Sequence, residues 1–196
     1  MKTLHARFGK APNYNFSAGF TMIELMVTLI LLAILIGIAG PSMRNFILQQ
    51  RVKSATSEFQ RGLTLARAEA IRRNQRVTLA AADASCSDFS KGWRIFFDSA
   101  SGSSANQCFD GSETQVMRSD ELDAALVVTW INADSNKAYL MFTPTGGVTM
   151  ANGAIGASSW SVSIPTIPAI QPRTICINFY GRTRTLSGSA TCGSSG

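Results

Sequence analysis

The chain has 196 residues, a formal net charge of +6, 45% hydrophobic residues and only 15% charged ones. That length suits one domain of ordinary size with an appendage, and the composition supports a buried core rather than disorder. One histidine and four scattered cysteines argue against a zinc site. With no Walker loop, GxGxxG, GxSxG or HExxH motif, most familiar enzyme chemistry is disfavoured, so no catalytic residue, metal or cofactor is expected.

The charge is segregated along the chain. Residues 1–19 carry +3, residues 20–43 carry −1, residues 44–76 carry +6, residues 77–134 carry −6 and residues 135–196 carry +4, with no acid after Asp134. This predicts two local basic patches around an acidic middle rather than a uniformly basic surface.

Phe20 to Ala39 reads FTMIELMVTLILLAILIGIA, twenty residues with Glu24 as the one charge. At about 1.5 Å per residue the run spans about 30 Å, the hydrocarbon thickness of a bilayer. The flank before it holds Lys2, Arg7 and Lys10, which places that flank in the cytoplasm and everything after Ala39 outside it. No A-x-A-like cleavage site follows the run, so it is expected to be retained as a single membrane helix. Glu24 costs roughly 2.5–3.5 kcal/mol inside an apolar helix. It lies about 6 Å along the helix from Phe20. It therefore either snorkels to the headgroups or pairs with a charge, such as a free amine made by cutting after Gly19.

Gly19-Phe20-Thr21-Met22-Ile23-Glu24-Leu25 ahead of an apolar run resembles the class III signal of type IV pilins and pseudopilins. The resemblance implies that a prepilin peptidase cuts the Gly19–Phe20 bond, that the new N-terminal Phe20 is N-methylated, and that Glu24 pairs with the amine of a neighbouring subunit during assembly. It further implies other pilins and minor pilins as partners, an inner-membrane anchor with the head in the periplasm, and an extracellular head once the subunit is in a pilus.

Gly37, Gly40 and Pro41 predict a kink or local melting. Beyond them Leu48, Val52, Ala55, Phe59, Leu63, Ala66 and Ala70 recur at helical spacing and form one apolar stripe, with Lys53, Arg61, Arg67 and Arg72 away from it. The helix is expected to run to about Asn74 and to lay its stripe on a sheet, its basic residues solvated or facing acidic neighbours. Residues 76–82, 93–98, 114–118, 126–131, 139–143, 159–164 and 174–180 read as strands. Residues 99–106, 133–136, 146–153 and 165–172 read as loops, the last as a rigid extended connector carrying Pro165, Pro168 and Pro172. The expected architecture is α+β: a leader at 1–19, a transmembrane half-helix at 20–40, an amphipathic half at 41–75, and a β-rich head of about seven short strands at 76–196. In layout the chain resembles the FimT/GspH-like branch of pilins, with Phe142-x-Pro144-x-Gly146 as a strand-to-turn element and a terminal strand pair around Gly181-Arg182.

Four cysteines allow three connectivities. Cys86–Cys108 and Cys176–Cys192 are the most local choice, and disulfides fit a compartment outside the cytoplasm.

The C-terminal basic turn is the strongest functional lead. Gly181 supplies a positive φ for a turn. Arg182 and Arg184, two residues apart, point the same way in an extended chain, about 7 Å from each other, and guanidinium forks bind phosphates. Arg173 and Lys137 extend the patch. Gly181-Arg182-Thr183-Arg184 resembles the C-terminal GRxR element of FimT-like DNA-uptake minor pilins, which implies non-specific DNA binding through the phosphate backbone. The alternative is a structural subunit, a type II secretion pseudopilin or a pilus-priming minor pilin, with only protein partners.

Overall fold

The computed structural model describes residues 19–97, 108–131, 139–149, 157–188 and 192, with the side chains at 38–42 left aside. The chain divides into two compact units, Met1–Ser42 and Met43–Gly196. One helix, α1 (Met22–Arg73), contributes to both.

In the first unit, Thr21 precedes the helix and its hydroxyl accepts the backbone N–H of Glu24 at 3.2 Å. This is the N-cap half of a Thr-x-x-Glu capping box. The following apolar side chains are exposed on every side of the helix: Met22, Leu29 and Ile36 are 82%, 56% and 62% accessible. Among the described residues no helix is long and apolar enough to cross a membrane. The span expected at 20–39 ends in positions whose side chains lie outside the described residues, and the basic leader positions Lys2, Arg7 and Lys10 lie outside them altogether. The local melting expected at Gly37, Gly40 and Pro41 is not found: the backbone of α1 is helical through all three.

The second unit holds the core. Val52, Ala55, Phe59, Leu63, Ala66 and Ala70 are buried and Leu48 is half-buried, so the helical stripe faces inward as its spacing requires. The helix ends at a left-handed Asn74 (φ 53°). Gln75 N–H bonds the Ala70 carbonyl at 3.2 Å and Asn74 N–H the Ile71 carbonyl at 3.3 Å. These are the paired bonds of a Schellman motif, which satisfy carbonyls the helix leaves open.

Nine strands follow: β1 (Val77–Ala81), β2 (Trp93–Phe97), β3 (Thr114–Arg118), β4 (Val127–Ile131), β5 (Tyr139–Phe142), β6 (Val148–Thr149), β7 (Ser158–Ser163), β8 (Arg173–Ile177) and β9 (Thr183–Ser187). They form two antiparallel sheets, in the orders β3-β2-β1-β5-β6 and β4-β7-β8-β9. In the first sheet Leu79 stands opposite Ile95 and Leu140, and all three are fully buried in the core shared with the helix. In the second sheet Trp160 stands opposite Trp130 and Ile175. Phe59 joins the layers, edge-on to Trp93 of β2 at 4.9 Å and tilted against Trp160 of β7 at 5.2 Å.

Seven strands are expected from the sequence and nine are present. β6 falls inside the expected 146–153 loop. β9 reads TRTLS, with too little apolar content to announce a strand. Each is an edge strand, held by backbone pairing to one neighbour rather than by burial on both sides. The proline segment also differs from the expected extended connector. Ile167 N–H bonds the Ile164 carbonyl at 3.1 Å and Ile170 N–H the Ile167 carbonyl at 3.0 Å, giving two successive β-turns. Pro165 and Pro168 sit second in each turn, where their fixed φ is favoured. The three-residue spacing brings Ile164, Ile167 and Ile170 onto the core. The loops expected at 99–106 and 133–136 lie outside the described residues.

Candidate nucleic-acid interface

Strands β8 and β9 are joined through Asn178, Phe179, Tyr180, Gly181 and Arg182. Gly181 N–H bonds the Asn178 carbonyl at 2.9 Å, and Asn178 N–H bonds the Arg182 carbonyl at 3.1 Å. The Asn178 side-chain oxygen also accepts Arg182 N–H at 2.9 Å. With Gly181 at φ 74°, this is a hairpin turn closed by a left-handed glycine bulge.

The β5–β6 turn repeats the pattern. Gly146 N–H bonds the Thr143 carbonyl at 2.8 Å and Thr143 N–H bonds the Gly147 carbonyl at 2.9 Å, with Gly146 at φ 80°. The two turns dock on each other. Val148 N–H bonds the Phe179 carbonyl at 3.0 Å across the two sheets, and a Cβ on Gly181 would collide with the Gly146 carbonyl oxygen. From the helix, Arg67 Nε donates to that same carbonyl at 3.1 Å.

Alternation then orients β9. The Thr185 hydroxyl bonds Gln60 of the helix at 3.0 Å, and Thr185 stands opposite the core residue Ile175. Thr183, Thr185 and Ser187 therefore share the helix-facing side, while Arg184 lies on the outer face opposite Cys176. Arg182 and Arg184 are both exposed, with the exposed Phe179–Tyr180 pair beside them at the turn. Arg173 is placed elsewhere. It pairs with Ser187 at the far end of β8, on the helix-facing side, with a buried Nε. Lys137 lies outside the described residues. The fold thus brings Gly181, Arg182 and Arg184 together and sets Arg173 apart.

Among the described residues no acid of the middle segment pairs with this hairpin; the ion pairs of that segment are Arg51–Asp123 and Lys91–Glu121. On the helix, Glu69 is engaged by Arg72 at 2.7 Å and by Arg73 at 3.2 Å. The Arg72 hydrogen bonds hold its carboxyl below the usual range against the opposing effect of desolvation. No acid pairs with Arg182 or Arg184 among the described residues.

Each sheet carries one disulfide on its outer side. Cys86–Cys108 (Cα–Cα 5.7 Å) packs with Phe96, Tyr139 and Phe109 against the first sheet. Cys176–Cys192 (Cα–Cα 5.8 Å) ties residue 192 to the second. This is the most local of the three connectivities. Arg67 and Gly146 escaped the sequence reading as members of this region. Their meeting with Gly181 joins three distant segments, and the only linear trace is a glycine in the same place of two similar turns.

A helix that is apolar all round in its first half and amphipathic in its second, the latter packed on two antiparallel sheets, defines a pilin-like subunit. The chain belongs to the family of type II transport protein GspH, whose model matches residues 55–181. A prokaryotic N-terminal methylation motif matches residues 15–40. Together these make it a type IV minor pilin or pseudopilin. The head shares its fold with the type IV minor pilin FimU of Pseudomonas aeruginosa strain PAO1 in two crystal forms. One is 19% identical over 74% of this chain and 98% of that one, with a TM-score of 0.54. The other is 21% identical over 70% and 98%, with a TM-score of 0.51. No curated protein matches the chain significantly.

Proposed function

We propose that this subunit is a minor pilin of a type IV pilus that binds extracellular DNA without sequence preference through the Gly181–Arg184 hairpin, supporting DNA uptake in natural transformation. The observation that carries the reading is the pair Arg182 and Arg184, exposed at the turn fixed by Gly181 and on the strand that follows it, and without an acidic partner among the described residues. Two guanidinium forks on one rigid hairpin suit two phosphates of a strand. Binding of this kind is weak and falls with salt by about 0.9 log units per log unit for each phosphate neutralised on duplex DNA. Several copies in one filament raise the avidity. In this reading residues 1–19 are a leader removed by a prepilin peptidase, Phe20 is N-methylated, Glu24 pairs with a neighbour's amine, and 20–40 anchor the chain in the inner membrane. The head faces the periplasm before assembly. The subunit works by binding rather than by catalysis.

The test is a gel shift with the full chain in mild detergent. Arg182→Ala combined with Arg184→Ala is expected to abolish DNA retardation at low salt and leave the melting temperature unchanged. Equal shifts by both proteins overturn the site. The GspH family match favours a second reading, a structural subunit with protein partners alone. Its sign is a head that binds other minor pilins and has no affinity for nucleic acid.

A further inference from the structure

We infer that Arg67 of the helix is a third phosphate-binding residue of the hairpin site, acting on the same strand as Arg182 and Arg184. The inference rests on the DNA-binding reading above. Arg67 lies between the two glycine turns. A Cβ on Gly181 would stand 3.0 Å from its Nε and 3.1 Å from its Cδ, and one on Gly146 would stand 3.1 Å from its Nε. Gly181 is the residue before Arg182, so the helix delivers a guanidinium to the base of the hairpin although 114 positions separate Arg67 from Gly181.

The Nε bond to the Gly146 carbonyl uses one of the five N–H donors of the group. The four on Nη1 and Nη2 have no partner among the described residues, and Arg67 is only half-buried. Glu69, the nearest acid along the helix, is already engaged by Arg72 and Arg73. A structural wedge needs the aliphatic stem and the Nε donor; it does not need an uncompensated charge next to Gly181, the residue before Arg182. The Nε bond also fixes the plane of the fork, which lowers the entropy lost when the remaining donors close on an anion. One phosphate seated between Arg67 and Arg182 and the next on Arg184 would use all three charges.

The experiment is fluorescence anisotropy of a short labelled DNA duplex with the full chain in detergent micelles, across a salt series. Arg67→Gln keeps a donor for Gly146 and removes the charge. It is expected to reduce the slope of log affinity against log salt by about 0.9, one phosphate contact, with an unchanged melting temperature. A slope equal to that of the unaltered chain overturns the inference. If the Gln variant melts early, Arg67→Lys decides. A restored slope supports the phosphate contact, and a slope as low as that of Gln refutes it. The Arg182→Ala, Arg184→Ala chain separates the two levels. If it binds as well as the unaltered chain, the hairpin reading fails. If it loses binding while Arg67→Gln keeps its full slope, only the role of Arg67 fails.

Discussion

Gly181 meets two demands at once, a left-handed backbone and a collision-free approach to the Gly146 carbonyl. The first alone costs a residue with a Cβ about 1–2 kcal/mol. The second cannot be relieved by a rotamer change, because the obstacle is backbone. Gly181→Ala is therefore expected to lower the urea midpoint and to weaken DNA binding together, since the turn that presents Arg182 must shift. An unchanged midpoint would show that the two turns are not docked. Asp83 acts on the other side of the head. Burial alone would raise its pKa, but hydrogen bonds from the Ser85 hydroxyl, from Asp88 and Ser87 N–H (both 2.9 Å) and from the Ser87 hydroxyl outweigh that and lower it. A carboxylate depressed in the folded state stabilises above its unfolded pKa of about 3.9 and loses that contribution as pH falls through its lower folded value. Thermal melts from neutral to strongly acidic pH should show a shallower acid decline in Asp83→Asn than in the unaltered chain. Identical declines would mean the loop around Cys86 does not depend on this charge.

Among the elements, the amphipathic half of α1 is what the two sheets share. Phe59 touches Trp93 of one sheet and Trp160 of the other and is fully buried. Phe59→Ala should cost about 3–5 kcal/mol in chemical denaturation, while a change at the exposed Arg61 should cost little. A Phe59→Ala loss near 1 kcal/mol would mean the layers pack without it. This helix was legible in the sequence because periodicity reports burial directly: each residue of the stripe from Val52 to Ala70 is buried. The central strands were legible for a related reason, the apolar content of Leu79, Ile95 and Leu140 matching their positions. The edge strands β6 and β9 lack that signal. β9 is held by its ladder to β8 and by Thr185 to Gln60, neither of which leaves an apolar pattern. The proline segment was misjudged because proline disfavours helix but is at home in both extended chain and turns; the isoleucines at three-residue spacing were the informative residues. The docked turns were the least legible part. A contact among Arg67, Gly146 and Gly181 has no local signature.

At the scale of the whole molecule, apolar surface is distributed unevenly between the two units. Met43–Gly196 buries its large side chains in a main core around Phe59, Trp93 and Trp160 and in a smaller cluster around Phe96 and Tyr139, whereas Phe20 to Ile36 of the first unit are exposed around the full circumference of the helix. Water does not tolerate such a surface on an isolated helix; lipid does, and so do the packed helices of a filament. The chain recovered from cells is accordingly expected in the membrane fraction, and a chain beginning at Met43 is expected in solution with one cooperative unfolding transition. Glu24 then becomes informative. With about 2.5–3.5 kcal/mol against its insertion, and with Thr21 capping the helix at its backbone N–H, the charge is tolerable close to a helix start and costly further in. Removal of the first 19 residues would leave a free amine at Phe20, four positions away and of opposite charge, and would begin the chain just before the cap. Intact-mass measurement of the cellular protein should therefore give a chain starting at Phe20 and carrying one added methyl group. A mass that retains Met1 would show that the first 19 residues are not removed, and a start beyond Ala39 that the apolar run is not kept; either result overturns this reading of the N-terminus.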